Sequence, residues 1–198
     1  MSTATTADLD LLRAAAAGDV DAAAAALRAG ADVETRDEHQ RTPLLLAATS
    51  DEVEVARLLL EAGASPDALD DRHDTPWLVT GVTGSVAMLE ALLPANPDLT
   101  IRNRYGGVSV IPASERGHVD YVRRVVQTGI DVDHVNDLGW TALLEAVILG
   151  DGGPHHQEIV EILLEAGADR DLADREGVTA LEHARAKGQV EVARVLEG

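Results

Sequence analysis

The sequence predicts an all-α solenoid in which short helix pairs are stacked one after another. Two sets of landmarks predict this fold: where each first helix should begin, and where each second helix should end. Candidate capping positions recur at steps of 33, 33, 33, 33 and 38 residues, at Leu9, Thr42, Thr75, Val108, Thr141 and Thr179. Residues that suit a left-handed helix end recur at steps of 33, 33, 33 and 38, at Gly30, Gly63, Asn96, Gly129 and Gly167. Because the two sets agree, we predict a repeat protein with an insertion in its fifth unit.

The clearest unit covers residues 37–69 and shows why these landmarks predict helix ends. The Thr42 hydroxyl can accept a hydrogen bond from the first turn, and Pro43 suits the first helical position because no N–H is needed there. Gly63 can adopt the left-handed conformation that ends the second helix. In the first unit we expect residues 1–7 to be frayed and the first helix to cover residues 8–17.

Two units depart from this pattern, and each departure leads to a prediction. In residues 70–102, Pro94 should stop the second helix early, and Asn96 should take the positive φ in place of glycine. In residues 103–135, Val108 cannot cap a helix, so we expect the hydroxyl of Ser109 to do so.

The insertion lies between Gly150 and Glu158, where we predict a loop over residues 151–157. His155 and His156 are adjacent in this segment, and histidines can bind zinc. Because no recognised ligand spacing accompanies them, we interpret them as solvated loop side chains and predict no metal and no cofactor. The chain has no cysteine and no legible nucleophile–base motif, so we predict that it is not an enzyme.

The Thr-Pro-Leu motif at Thr42, with Ala47 five residues later and Gly-Ala-Asp after a second helix, resembles the ankyrin repeat. The resemblance implies one ankyrin-repeat domain over residues 1–198, a solenoid of helix-turn-helix units with β-turn fingers between them. It implies an N-terminal cap, four internal repeats and a C-terminal cap, at residues 8–36, 37–69, 70–102, 103–135, 136–173 and 174–198. It also implies a protein–protein interaction module that binds on its concave face.

The family's contact positions, carried over by register, give a candidate partner-binding surface. The fifth repeat places apolar side chains where polar ones are usual, at Leu138, Trp140, Ile148 and Leu149. Tyr105 lies one finger away, and exposed aromatic and apolar side chains mark interfaces. We expect Glu145, beside this patch, to contact a partner or form a salt bridge. The predicted rim is charged, at Arg72, Asp74, Arg104, Arg116, Asp137 and Arg175. The alternative is that the inserted loop folds over the patch and buries it.

The formal net charge of −19 restricts the choice of partners. Such a charge repels nucleic-acid phosphates and anionic membranes and favours a basic protein, so we predict no nucleic-acid and no membrane binding. No apolar run is long enough to span a membrane and no secretion signal is recognised, so we expect a cytoplasmic monomer. Lys187 is the only lysine, and this bias towards arginine is typical of a GC-rich bacterial genome.

Two other functions are also compatible with the sequence. One is an inhibitor or antitoxin-like protein that occupies the active site of a basic partner, which the negative charge favours. The other is a small-molecule site or an enzyme around Trp140, Glu145 and the inserted loop. Salt-sensitive co-purification with a basic protein would favour the first function, and a ligand bound beside Trp140 would favour the second.

Overall fold

The computed structural model describes residues 4–198, and the chain divides into two units, of which the first ends at Ile101 and the second begins at Arg102. The residues it describes form twelve α-helices and two short 3-10 helices, with one isolated β-bridge between Ala173 and Thr179 and no strand. No helix in this part of the chain is both long and apolar enough to cross a bilayer. The prediction of an all-α fold of paired helices is therefore confirmed.

The first unit contains three helix pairs. Its helices are α1 (Thr6–Ala17), α2 (Val20–Arg28), α3 (Pro43–Thr49), α4 (Val53–Glu61), α5 (Pro76–Thr83) and α6 (Val86–Leu92), the last continued by a 3-10 turn (Leu93–Ala95). First helices pack on first helices, with α3 between α1 and α5, and second helices pack on second helices, with α4 between α2 and α6. This is the stacking that the repeat pattern predicts.

The second unit repeats the arrangement. Its helices are α7 (Val110–Glu115), α8 (Val119–Val125) with a following 3-10 turn (Val126–Thr128), α9 (Ala142–Ile148), α10 (Pro154–Glu165), α11 (Ala180–Ala186) and α12 (Val190–Glu197). Here α9 packs between α7 and α11, and α10 packs between α8 and α12. Helix α9 therefore has neighbours on both sides within its own unit.

Threonine caps begin the first helices, as predicted. The hydroxyls accept the backbone N–H three residues later, with distances from 3.1 to 3.3 Å, at Thr42, Thr75, Thr141 and Thr179. Each cap residue has an extended backbone, which the hydroxyl needs in order to reach that N–H. Small and branched aliphatic side chains fill the interior behind these caps, and Ala47 and Ala146 are buried at equivalent places.

One predicted helix start and one predicted capping bond are wrong. Helix α1 begins at Thr6, inside the segment expected to be frayed, and Thr5 rather than Leu9 caps it. Asp8 completes a capping box by accepting the Thr5 N–H at 2.7 Å. The apolar side chain of Leu9 has no atom that could form such a bond. Residues 1–3 of the segment expected to be frayed lie outside the described residues. Helix α7 begins at Val110, directly after Ser109 as predicted, but Ser109 makes no capping bond because its backbone is already helical at φ −58° and ψ −29°. Its hydroxyl is buried without a partner.

The irregularities predicted for the repeat at residues 70–102 are confirmed. Helix α6 ends at Leu92, two residues before Pro94, and Asn96 has a φ of 54°. The predicted loop over residues 151–157 is wrong in its second half, because α10 begins at Pro154. Proline at the first helical position was the overlooked signal, since its missing N–H costs nothing there. Most of the insertion therefore lengthens α10 at its N-terminus.

Candidate functional site

The turns that join successive helix pairs share one hydrogen-bond pattern. In each of these turns, called fingers below, the first side chain accepts the N–H groups of the residues two and four positions later. These first residues are Asp37, Asp70, Asn103, Asn136 and Asp174. In the fourth finger, Asn136 Oδ1 accepts the Leu138 and Trp140 N–H groups, each at 3.0 Å. This bonding uses Oδ1 and leaves the Asn136 amide group able to donate elsewhere.

The Asn136 amide donates to Glu145. Its Nδ2 lies 2.8 Å from Glu145 Oε1, so one side chain ties the fourth finger to α9. Glu145 is only 6% exposed. Equivalent places on α3 and α5 hold apolar side chains, Leu46 and Val79, which are also buried. Glu145 therefore carries a carboxylate into a position that the first unit fills with hydrocarbon.

Burial shifts the titration of Glu145. Removal of the carboxyl from solvent, together with the carboxylate of Glu115 on α7, raises the pKa of Glu145 to about 7. The hydrogen bond from Asn136 acts in the opposite direction but is outweighed. Near neutral pH this carboxyl is therefore about half protonated, and a cation brought next to it would release the proton.

The next finger builds the same contact with reversed polarity. His183 occupies the place on α11 that Glu145 occupies on α9, and its Nε2 lies 2.7 Å from Asp174 Oδ2. Hydrogen bonds from the Val178 N–H and from His183 lower the pKa of Asp174 despite the cost of burial. An amide thus faces an acid in one pair, and an acid faces an imidazole in the next. The finger residue and the helix residue are matched within each pair.

The side chains predicted as an apolar patch are distributed along this finger and helix. Leu138 is 51% exposed at the finger, and Leu149 is 49% exposed just after α9. Trp140 and Ile148 are partly buried. Ile148 and Leu149 follow Glu145 by three and four residues, so they lie on its side of the helix. Tyr105 is 55% exposed in the preceding finger. The backbone carbonyl oxygen of Tyr105 accepts the Asp137 N–H at 2.9 Å, which links the two fingers.

The charged residues predicted as a rim are found in different roles. Arg72 and Asp74 belong to the second finger, in the first unit, where their N–H groups donate to Asp70 Oδ1. In the second unit, the Arg104 guanidinium lies 4.5 Å from the centre of the Tyr105 ring. Arg175 donates to the carbonyl oxygen of Asp137, and its methylene groups lie over Gly139. Arg116 is exposed at the end of α7.

The C-terminal end of α9 is closed by two side chains that follow α11. Lys187 Nζ donates to the carbonyl oxygens of Val147, Ile148 and Gly150 at 2.9, 2.6 and 3.1 Å. Gln189 Nε2 donates to Val147 and Gly150 at 3.2 and 3.1 Å. These bonds satisfy carbonyls that the last turn leaves unpaired, and a cation suits that end of a helix. The sequence does not reveal this role, although Lys187 is its only lysine.

The inserted segment is held by His156. Its Nδ1 lies 2.8 Å from Asp151 Oδ1, and its Nε2 lies 2.9 Å from the Glu115 carbonyl oxygen. His156 is buried in the first turn of α10, so its interpretation as a solvated loop side chain is wrong. A cleft of about 240 Å³ lies beside it and is bordered by Arg116 and His155. Within residues 4–198, no three histidine or acidic side chains are grouped to hold a metal ion.

The sequence matches a known family along nearly its whole length. The family described as "Ankyrin repeats (3 copies)" matches three overlapping segments, residues 11–103, 83–174 and 110–197. The ankyrin repeat protein YahD of Escherichia coli (strain K12) is 39% identical over 188 residues, which cover 94% of this chain and 94% of YahD.

Solved structures agree with this match. The crystal structure of an ankyrin repeat domain from Acinetobacter baumannii AYE superimposes with a TM-score of 0.90 at 44% identity, over 94% of this chain and 95% of that chain. The crystal structure of the ankyrin repeat protein EF0377 superimposes with a TM-score of 0.92 at 37% identity, over 98% of both chains.

Proposed function

The chain is a member of the ankyrin repeat family, whose repeats generally bind other proteins, and we propose that it is a non-catalytic module that binds a partner protein through its second unit. The proposed contact surface, called the α9 surface below, consists of the fourth finger, the side of α9 that carries Glu145 with the residue that follows the helix, and the neighbouring Tyr105. Its members are Tyr105, Leu138, Trp140, Glu145, Ile148 and Leu149.

The observation that supports this proposal is the exposure of apolar side chains at finger tips. Tyr105 and Leu138 occupy the same finger position, and both are more than half exposed. At that position the fingers of the first unit carry His39 and Arg72, which solvent accommodates without cost. Large apolar side chains left in water are a cost to a lone protein and a source of affinity once a partner covers them. Aromatic side chains also supply much of the binding energy at interfaces.

We propose that the partner is basic. The chain has a formal net charge of −19, and a field of that sign accelerates encounter with a positively charged protein. A rim of Asp137 and other carboxylates would suit such a partner. Salt should then slow association more than it speeds dissociation, because steering acts before contact.

The test compares two exposed leucines, one on the proposed surface and one away from it. The immobilised chain captures proteins from a lysate of its native host, and Leu138→Ser should reduce the captured amount by about tenfold. Leu69→Ser is the matched control, because Leu69 is 41% exposed in the first unit. Its capture should equal that of the unaltered chain.

Trp140→Ala gives a second reading of the same surface. It should abolish capture while the melting temperature changes little, because the indole is only partly buried. Loss of the fold would show that Trp140 is part of the core. Equal loss of capture in Leu138→Ser and Leu69→Ser, or no captured protein at all, would contradict the proposal.

A further inference from the structure

Glu145 is a buried carboxylate with one oxygen left open. Asn136 Nδ2 donates to Oε1, and no described residue donates to Oε2. Three polar side-chain atoms of the described residues are fully buried without a partner, namely Trp77 Nε1, Ser109 Oγ and Gln189 Oε1. Because Glu145 Oε2 is not among them, this oxygen reaches the surface of the second unit.

Several cations on or just after the helices packed against α9 bind other groups, whereas Arg116 at the end of α7 and His155 on α10 are exposed. On α11, Arg185 donates to Glu197. Lys187 on the α11 side binds three carbonyl oxygens at the end of α9. His183 on α11 is bound to Asp174 at 2.7 Å. His156 on α10 uses both ring nitrogens on other oxygens. Among the described residues, the one charge that shifts the pKa of Glu145 is another carboxylate, that of Glu115 on α7.

The carboxylate of Glu115 is thus near enough to raise the pKa of Glu145. Among the described residues, no ion pair is formed by either of these two carboxylates. An ionised carboxylate in a buried position is costly unless it is paired, so this place favours a ligand that brings positive charge. The side of α9 next to it is apolar, because Ile148 and Leu149 lie within one turn of Glu145. The ligand should therefore combine a cationic head with a hydrocarbon stem.

We propose that the α9 surface binds an arginine side chain of its protein partner, with the guanidinium held by Glu145 and Glu115. This inference rests on the proposed protein-binding function and names the chemistry of its central contact. Arginine fits better than lysine because its planar head offers five N–H donors, enough for two carboxylates at once. Its methylene stem can lie on Ile148, and its guanidinium plane can stack on Trp140.

The contact should depend on pH. Only the ionised form of Glu145 attracts the guanidinium, and its pKa in the free chain is about 7. Binding should therefore release a proton, and affinity should fall about tenfold between pH 8 and pH 6. Arginine stays charged throughout this range, so the change belongs to the protein.

The experiment uses an array of ten-residue peptides with randomised flanks and one fixed central residue. The centre is arginine, lysine, citrulline or leucine, and the labelled full chain is applied at pH 8 and pH 6. Citrulline keeps the shape of arginine and removes its charge. Arginine-centred peptides should bind at least about tenfold better than citrulline-centred ones at pH 8. An array in which lysine, citrulline or leucine binds as well as arginine would overturn the inference.

Two variants separate this contact from the general surface. Glu145→Gln keeps the oxygen that accepts from Asn136, so the fold should persist, but arginine preference and pH dependence should disappear. Glu161→Gln removes an exposed charge from α10 and should change neither. If all centres bind alike and Leu138→Ser abolishes that binding, the protein-binding function stands and the arginine contact is wrong. If no peptide binds to any array, the arginine contact is wrong, and the capture experiment alone decides whether the protein-binding function is wrong as well.

Discussion

The two units build the same framework, but the fourth finger and α9 carry polarity differently from the fingers and first helices of the first unit. In the first unit, finger tips carry His39 and Arg72, and the matching place on the first helix is hydrocarbon at Val79. In the second unit, the tips of two fingers are apolar, at Tyr105 and Leu138, and on α9 the matching position carries Glu145. The tip of the last finger is the charged Glu176. The first arrangement places polar side chains in water and hydrocarbon in the interior. The second places apolar side chains in water and a carboxylate in a buried position.

The comparison shows which positions the fold needs and which it leaves open. Threonine caps and the Asx bonds of the fingers recur in both units, because they satisfy backbone groups that would otherwise be unpaired. The side chain at the position that Glu145 occupies on α9 is instead matched to the first residue of the preceding finger. The amide of Asn136 donates a hydrogen bond to a glutamate, whereas the carboxylate of Asp70 in the first unit would repel one. Change of one partner should therefore carry a large cost.

Val79→Glu tests this matching and should have the largest effect. It puts a carboxylate into a buried place beside Asp70, where no side-chain amide donates, and should lower the free energy of unfolding by about 3–5 kcal/mol at pH 8. Urea unfolding measures the change. Val79→Gln is the matched control, because it has the same shape without the charge and should cost clearly less. If both variants lower the free energy of unfolding equally, the charge itself adds no cost in the first unit, and the proposed matching is wrong.

The sequence alone was sufficient for the architecture because backbone needs repeat along the chain. Thr42, Thr75, Thr141 and Thr179 sit where a hydroxyl meets a helix start, and their spacing showed this directly. Ser109 shows the limit of such reasoning, because capping also requires an extended backbone that residue type does not reveal.

The candidate site could be predicted from the sequence only in part, for a different reason. Exposure of Leu138 followed from register, since its position repeats in every finger. The contact of Asn136 with Glu145 depends on a side-chain bond over nine residues, which no motif announces. One signal was present, namely that the register aligns Glu145 with Leu46 and Val79 and so implies burial. The bonds of Lys187 and His156 reach residues about 40 positions away, and only a structure brings these together.

Stability of the second unit should depend on pH in a way that the first unit does not share. The pKa of Glu145 is about 7 in the folded chain and 4.5 by its usual value. The folded state thus holds a proton that the unfolded state has already lost, so stability decreases as pH rises through this window. The loss should reach at most about 3 kcal/mol above pH 7.

Glu145→Gln should remove this loss. The variant should match the unaltered chain near pH 4.5 and exceed its free energy of unfolding at pH 8, by urea unfolding at each pH. Glu161→Gln should retain the pH dependence. Hydrogen exchange gives the location, since protection of α9 should change with the substitution at pH 8 while protection of α3 stays the same. Equal stability of Glu145→Gln and the unaltered chain at pH 8 would mean that the carboxyl is not a burden on the fold.

The fingers themselves differ in strain, and this difference should have the smallest effect. The residue with positive φ is Gln40 at 61° in the first finger but Gly177 at 79° in the last. A side chain with a Cβ in this conformation costs about 1 kcal/mol, partly offset for glycine by its greater freedom when unfolded. Gln40→Gly should therefore stabilise slightly, and Gly177→Gln should destabilise by up to about 1 kcal/mol. A Cβ at Gly177 would meet no atom within 4 Å, so collision cannot account for a loss. If Gly177→Gln is neutral in urea unfolding, the glycines of the second unit do not relieve strain, and the two units differ only in the side chains that they present.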